Sequence, residues 1–243
     1  LAASPFVLSL TVRVGLFIPC FIDLLYPQVG QSTLAVLERL NLEVDYPCAQ
    51  TCCGQPAFNS GYWDEARALA ERYVTIFDRY DAVVCPSGSC TAMVRNFYPE
   101  LLGNPSHATA NTFEFGEFLV RKLGVTDVGA RFPGRATYHD SCHALRELRL
   151  KDVPRQLLRT VKDLELVEMA EAETCCGFGG MFSVKFPMIS YAMDEVKVES
   201  IKKTGAAYVV STDASCLMQM DGYLRRHNVP VKPVTLAEVL AST

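Results

Sequence analysis

Eight of the ten cysteines fall into two copies of one pattern, and this duplication constrains the fold more than any other feature of the chain. The first copy is Cys20, the adjacent pair Cys52 and Cys53 followed by Gly54, then Cys90. The second is Cys142, the pair Cys175 and Cys176 followed by Gly177, then Cys216. The copies are offset by 122 residues at the lone cysteine, 123 at the pair and 126 at the last. Flanking residues agree: RVGLFIPC and RATYHDSC end at Cys20 and Cys142, and AVVCPSGSC and YVVSTDASC end at Cys90 and Cys216. Glu117-Phe118-Leu119 likewise align with Glu238-Val239-Leu240. One internal duplication accounts for all of this, and it divides the chain into halves at 13–128 and 129–243.

Hydrophobic periodicity places the cysteines on a scaffold. In the first half, Arg13–Ile18, Glu43–Tyr46 and Ala82–Cys85 are expected strands. Helices are expected over Val29–Leu40, along the apolar series Ala66 to Phe77, from near Cys90, and over Phe113–Leu123 with Gly124 as its cap. The second half repeats this, with strands near Arg135–His139, Leu164–Met169 and Ala207–Ser211. Its helices fall near Val153–Lys162, Pro187–Thr204, which Gly205 ends, and Cys216–His227. Alternating strands and helices predict an α/β fold, here two parallel-sheet halves related by a pseudo-twofold. Ligands of such sheets gather beyond the carboxyl ends of the strands. Each set of four thiols follows three successive strands, so each set is expected to converge at one sheet edge.

Composition narrows the function. No apolar run approaches the roughly 20 residues of a membrane-spanning helix, and Phe6–Leu10 is shorter than a signal-peptide core, so the chain is not expected to be an integral membrane or classically secreted protein. A net charge of −4 without a block of Lys and Arg argues against nucleic acid. With no export signal, ten cysteines point to metal ligands or redox groups rather than disulfides. Four thiolates share a small volume only around a compensating cation or cluster, and soft sulfur favours zinc, copper(I) or iron and sulfide. Zinc sites commonly use close CxxC pairs; here the spacing is long and the close pairs are adjacent residues, which reach different irons of a cluster more readily than one zinc. Iron–sulfur is therefore the favoured occupant, one cluster per half, with zinc in one or both sites as the alternative. The glycine after each pair lets backbone N–H groups approach cluster sulfur.

The runs TCCGQPAFNSG (51–61), CPSGSC (85–90), HDSCHALRELRL (139–150) and ETCCGFGGMFSV (173–184) resemble the cysteine-rich CCG-domain family. That family includes the cysteine-rich component of heterodisulfide reductase and the iron–sulfur subunits of glycolate oxidase and anaerobic glycerol-3-phosphate dehydrogenase, and the resemblance is nearest to its lactate-utilization branch. It extends from Arg13 to Ala241. It implies paired α/β halves and iron–sulfur clusters on Cys20, Cys52, Cys53, Cys90, Cys142, Cys175, Cys176 and Cys216. It also implies work beside lactate utilization proteins B and C in oxidising L-lactate to pyruvate, in the cytoplasm, with membrane association only through partners. One departure stands out: the family's final CxxC is reduced here, with Ser87 and Asp213 at its first position. A four-ligand cubane (4Fe-4S) cluster, an oxygen ligand from Asp213 and zinc in one half all remain open. The first dozen residues have no counterpart in the family and are set aside as a misassigned start or an expression remnant.

The remaining features have plainer readings. Cys48 and Cys85 lack counterparts in the repeat and are expected to be buried thiols, Cys48 being the nearer to an exception. GFGG (177–180) lacks the glycine a dinucleotide fingerprint needs at Phe182, so a turn beside the site is expected. His139, Asp140, Cys142 and His143 are too close in sequence to make a nucleophile and base, and belong to the cluster environment. Arg146 and Arg149 either are solvated helix charges or steady the negative site. The apolar stripe from Met188 to Ile201 is expected in the core. Nothing resembles a flavin or nicotinamide site, so no catalytic residue is assigned and the chain is not expected to be active alone. Two function classes follow: an electron-relaying oxidoreductase subunit, or a zinc-binding or thiol-rich interaction module that holds partner redox proteins.

Overall fold

Two four-stranded sheets, both wholly parallel, carry the chain in the computed structural model, which describes residues 12–243. The stretch Phe6–Leu10 and the expectation about the first dozen residues lie outside the described residues, save Val12. The first sheet comprises β1 (Arg13–Leu16), β2 (Glu43–Asp45), β3 (Ala82–Cys85) and β4 (Thr112–Glu114). The second comprises β5 (Arg131–Tyr138), β6 (Lys162–Val167), β7 (Tyr208–Ser211) and β8 (Lys232–Thr235). Their strand orders, β2-β1-β3-β4 and β6-β5-β7-β8, are the same. β3 is apolar at every residue and fully buried, as a parallel strand covered on both faces requires.

The halves meet through reciprocal contacts. The last helix of the second half, Leu236–Ala241, packs on Pro27–Arg39 of the first. Its counterpart, Phe115–Glu117, packs on Asp152–Leu158 of the second. The helix from Cys20 meets that over Ala214–Arg226, and Gly88–Ala92 meets the turn His143–Glu147. Such exchange of equivalent elements is the signature of a twofold relation. A central core draws on both halves, including Val14, Leu16, Val84 and Phe115 with Ala136, Tyr138, Val210 and Leu240. Each sheet's outer face has its own core. The first is aromatic, Phe17, Tyr73, Phe77 and Tyr98; the second is largely aliphatic, with Val198, Ile201, Val209 and Met220.

Three expectations change. The stretch expected to be one helix over Phe113–Leu123 opens with edge strand β4, and β8 was not expected, because edge strands of three or four residues carry too little periodicity to register. The stripe Met188–Ile201 is not uniformly core. Its helix, Pro187–Lys203, buries Ser190, Asp194 and Lys197 beside Val198 and Ile201, while Met188 is 79% exposed and Ile189 and Val196 lie outside. Finally, Cys85 is buried but Cys48 is exposed.

Glu114, at the end of β4, is buried at the meeting of the halves, where the Thr212 hydroxyl and the Glu117 N–H donate to its carboxylate. Burial pushes its pKa up to about 7. A carboxyl whose folded pKa is raised contributes its full stability below the unfolded value of about 4.5 and loses it as pH rises through the folded value. Glu114→Gln is therefore expected to gain up to about 3 kcal/mol over the parent at pH 8 and under about 1 kcal/mol at pH 5. Urea midpoints at the two pH values measure this; an equal difference at both would refute the assignment.

Candidate metal centre

Each cysteine set is delivered by the loops beyond the carboxyl ends of three strands. Cys20 begins the helix after β1, Cys52 and Cys53 lie in the loop after β2, and Cys90 lies in Gly88–Ala92 after β3. Cys142, the pair Cys175 and Cys176, and Cys216 occupy the same places after β5, β6 and β7. All eight line one cavity of about 170 Å³ between the halves, partly open to solvent. Sequence reasoning placed two separate sites; the structure opens both sets onto a common space.

Within each set the thiols perturb one another's ionisation in series: Cys52 with Cys20 and Cys53, and Cys53 with Cys90; Cys175 with Cys142 and Cys176, and Cys176 with Cys216. The Gly54 N–H donates to Cys52 Sγ and the Gly177 N–H to Cys175 Sγ, each at 3.4 Å. Both glycines hold left-handed φ, 80° and 85°, and a Cβ on Gly177 would lie 2.6 Å from the Ser190 carbonyl oxygen. Hydrogen bonds from Cys20 and Cys142 hold the central thiols Cys52 and Cys175 well below the ordinary thiol range. The same bonds, with burial, push Cys20, Cys142, Cys53 and Cys176 up. Each set thus favours a thiolate at its central cysteine, and a bound cation would be needed to ionise Cys20, Cys53, Cys142 and Cys176. This donor set fits a thiolate-bound metal or cluster.

Ser87 and Asp213, the departures from the family pattern, meet across the halves. Ser87 Oγ donates to Asp213 Oδ1 at 2.9 Å, joined there by the Ser89 N–H at 3.0 Å and the Ser89 hydroxyl at 2.9 Å. The Ser141 hydroxyl donates to Oδ2. Ser87 and Asp213 hold equivalent positions, 126 residues apart like Cys90 and Cys216. Equivalent residues bond to each other only near the axis relating the halves. The backbone is close here: a Cβ on Gly88 would lie 2.6 Å from Ala144 Cβ. The Asp213 carboxylate is therefore a clasp between halves, engaged by four donors. Ser87 also caps Gly88–Ala92 by accepting from the Cys90 N–H at 3.3 Å.

Cys142 and His143 do come together, with Sγ and Nδ1 3.6 Å apart. His143 Nε2 lies 3.4 Å from Gln55 Nε2 of the first half. Asp140 does not join them: it is buried in a two-pronged pair with Arg155, whose Nη1 and Nη2 each lie 2.8 Å from its carboxylate. The sequence leaves Arg146 and Arg149 either as solvated helix charges or as steadying the negative site. Arg146 reaches only the Glu173 carbonyl, at 3.5 Å, and is exposed. The buried cations are Arg155 and Lys197; Lys197 Nζ donates to the Glu171 and Ala172 carbonyls beneath the Cys175 loop. Burial pulls its pKa down to about 8. Its signal was present as Ser190, Asp194 and Lys197 recurring at helical spacing along one face. His139 is wholly buried, and desolvation lowers its pKa to about 3.

Comparison with known proteins agrees with this architecture. The CCG family, a cysteine-rich domain, matches at residues 14–95 and again at 136–221, one match per sheet. Lactate utilization protein A of Bacillus pumilus is 48% identical over 238 residues, spanning 95% of this chain and 100% of that protein. The protein of the same name from Geobacillus thermodenitrificans is 47% identical over 235 residues, spanning 94% and 98%. Among solved structures, a hypothetical protein from Helicobacter pylori superposes with a TM-score of 0.60 at 8% identity, a likeness of fold alone; it covers 94% of this chain, which spans about half of that protein's length. The clustered thiols indicate metal binding. With two matched domains and near-half identity over almost its whole length, the chain belongs to the CCG cysteine-rich family and, within it, to the lactate utilization protein A family.

Proposed function

We propose that the chain is the iron–sulfur electron-transfer subunit of a multi-protein complex that oxidises L-lactate to pyruvate. The observation that carries this reading is the opening of two four-thiol sets onto one cavity, an arrangement that supports two redox centres serving as successive stations. In this reading residues 13–128 and 129–243 are the two halves. Cys20, Cys52, Cys53 and Cys90 hold the first centre; Cys142, Cys175, Cys176 and Cys216 hold the second. A cluster so bound supplies one-electron chemistry. The chain's own groups set its surroundings: Gly54 and Gly177 donate to sulfur, and the Asp213 clasp fixes the distance between the sets.

Exposed apolar side chains flank both sets. Leu24 and Leu25 follow Cys20, and Met181, Val184, Phe186 and Met188 follow the cavity-lining Phe178–Gly180 segment. Surface of this kind suits docking by a partner, here lactate utilization proteins B and C, and supports activity only within the assembly. No described helix is long and apolar enough to cross a membrane; the reading places the complex in the cytoplasm.

Cells lacking this chain are expected to grow poorly on L-lactate and normally on pyruvate. Wild-type chain should restore growth, and a Cys52→Ser, Cys175→Ser double variant should not. Rescue by that double variant would defeat the electron relay and favour the interaction module.

A further inference from the structure

We propose that His139 is a metal ligand of the second cysteine set, joining Cys176 and Cys216, so that the two centres differ in donor chemistry: thiolate alone in the first, thiolate with imidazole in the second. This rests on the reading that the sets hold metal, and deepens it.

The ligand atoms of His139, Cys176 and Cys216 all lie within 4.8 Å of one another, and all three residues are buried. Neither ring nitrogen of His139 has a hydrogen-bond partner, although the side chain is 0% exposed. Burying a polar group without a partner costs free energy, so an imidazole in this state, near the Ala172 carbonyl without hydrogen-bond geometry to it, is free to take a metal. The Ala172 carbonyl beside the ring already accepts from the Asp140 N–H at 3.0 Å and from Lys197 at 3.2 Å. Metal-bound histidine characteristically uses one nitrogen for the ion and turns the other to a carbonyl or carboxylate. A ring flanked by two thiols and a backbone carbonyl offers that arrangement.

The first half supplies the control within the same molecule. The Phe17 N–H donates to the Val84 carbonyl at 2.9 Å, and the His139 N–H donates to the Val210 carbonyl at 2.8 Å. Phe17 precedes Cys20 by three residues as His139 precedes Cys142, and Val84 and Val210 are themselves offset by 126. The two side chains therefore occupy equivalent places. Phe17 packs edge-on against Tyr73 and Phe77, with ring centroids at 5.0 and 5.5 Å, in the cluster that includes Cys53. The fold is thus satisfied by an apolar ring at this place, and the imidazole in the second half meets a chemical requirement rather than a packing one. Imidazole in place of a thiolate at one iron raises the potential of an iron–sulfur centre, so a second centre in which His139 takes the place of one of the four thiols would be the better electron acceptor of the two.

The test uses the full chain labelled with ¹⁵N-histidine and reconstituted anaerobically with ferrous iron and sulfide, alongside His139→Phe and His139→Gln. The first variant installs the residue of the equivalent position, and the second keeps a polar side chain should the first fail to fold. Pulsed electron spin resonance of the reduced wild type is expected to show a directly coordinated nitrogen that is absent from both variants. The potential of one centre should fall in the variants while the other stays unchanged. Iron-loaded wild type without such a nitrogen, or a nitrogen that persists in the variants through His143, overturns the proposal and leaves the iron–sulfur reading standing. Should wild type take up zinc but no iron, the iron–sulfur reading falls, and zinc X-ray absorption decides the inference. A nitrogen near 2.0 Å beside sulfur near 2.3 Å in wild type alone supports it, and sulfur alone overturns it. Failure to bind either metal overturns both.

Discussion

Cys176→Ser is expected to remove half of the bound metal, the share held by the second set, and Cys53→Ser the other half. The thiols that perturb one another's ionisation run in series within each set, Cys142 to Cys175 to Cys176 to Cys216 and Cys20 to Cys52 to Cys53 to Cys90, and each series stays within its own half. Cys53 and Cys176 are buried at matching places in the two series. A serine hydroxyl there is a poor ligand for a soft metal. Because one cavity receives both sets, the competing arrangement is a single centre bridging the halves. Metal analysis of the two single variants separates the two: complete loss in either would establish the bridging centre and contradict independent sites. Cys85→Ser, buried but outside both series, should leave metal content unchanged.

The largest loss of stability is expected from Arg155→Ala. Arg155 holds Asp140 through both terminal nitrogens and Glu168 through Nε at 2.8 Å and Nη2 at 2.9 Å, and its guanidinium lies 5.2 Å from the Tyr138 ring centroid. Its side chain is 8% exposed and that of Asp140 2%. Removing one member of a buried ion pair strands the other charge, at about 3–5 kcal/mol. Asp140 directly precedes Ser141 and Cys142, so loosening it also loosens one arm of the Asp213 clasp and one metal-set thiol. Denaturant unfolding of the metal-free protein should show the full loss. An Arg155→Met, Asp140→Asn double variant, which leaves no charge behind, should recover part of it. A loss under about 1 kcal/mol in the single variant would mean that the pair is solvated and does not anchor the loop.

The duplication was legible in the sequence because it is carried by residues of extreme character: eight cysteines, two glycines and the apolar strands before them. Their order alone located the sheets and the edge where the thiols gather. What stayed hidden depends on relations across the halves. Ser87 and Asp213 were visible as departures from a family pattern, but only a structure shows them bonded to each other. The common cavity was hidden for the same reason, since each set reads as complete within its own copy. Arg155 and Lys197 looked like ordinary helix charges because what distinguishes them is burial by a distant segment. β4 and β8 are too short for their periodicity to separate from the helices that follow. His139 was seen and assigned to the surroundings of the site; only its lack of a partner and its equivalence to Phe17 set it apart. Met188 and Ile189 look like core by composition, yet the helix turns Ser190, Asp194 and Lys197 inward, toward the loop of the second set.

The proposal of two iron–sulfur centres, one per half, at the common cavity is open to direct measurement. It is tested most directly by quantifying iron, acid-labile sulfide and zinc in protein purified and kept without oxygen, together with electron spin resonance during stepwise reduction. Iron and sulfide are expected in comparable amounts, with little zinc and two reducible centres whose signals broaden when both are reduced, because the two sets open onto one cavity. Zinc without sulfide in oxygen-free protein, with no reducible centre, would contradict it.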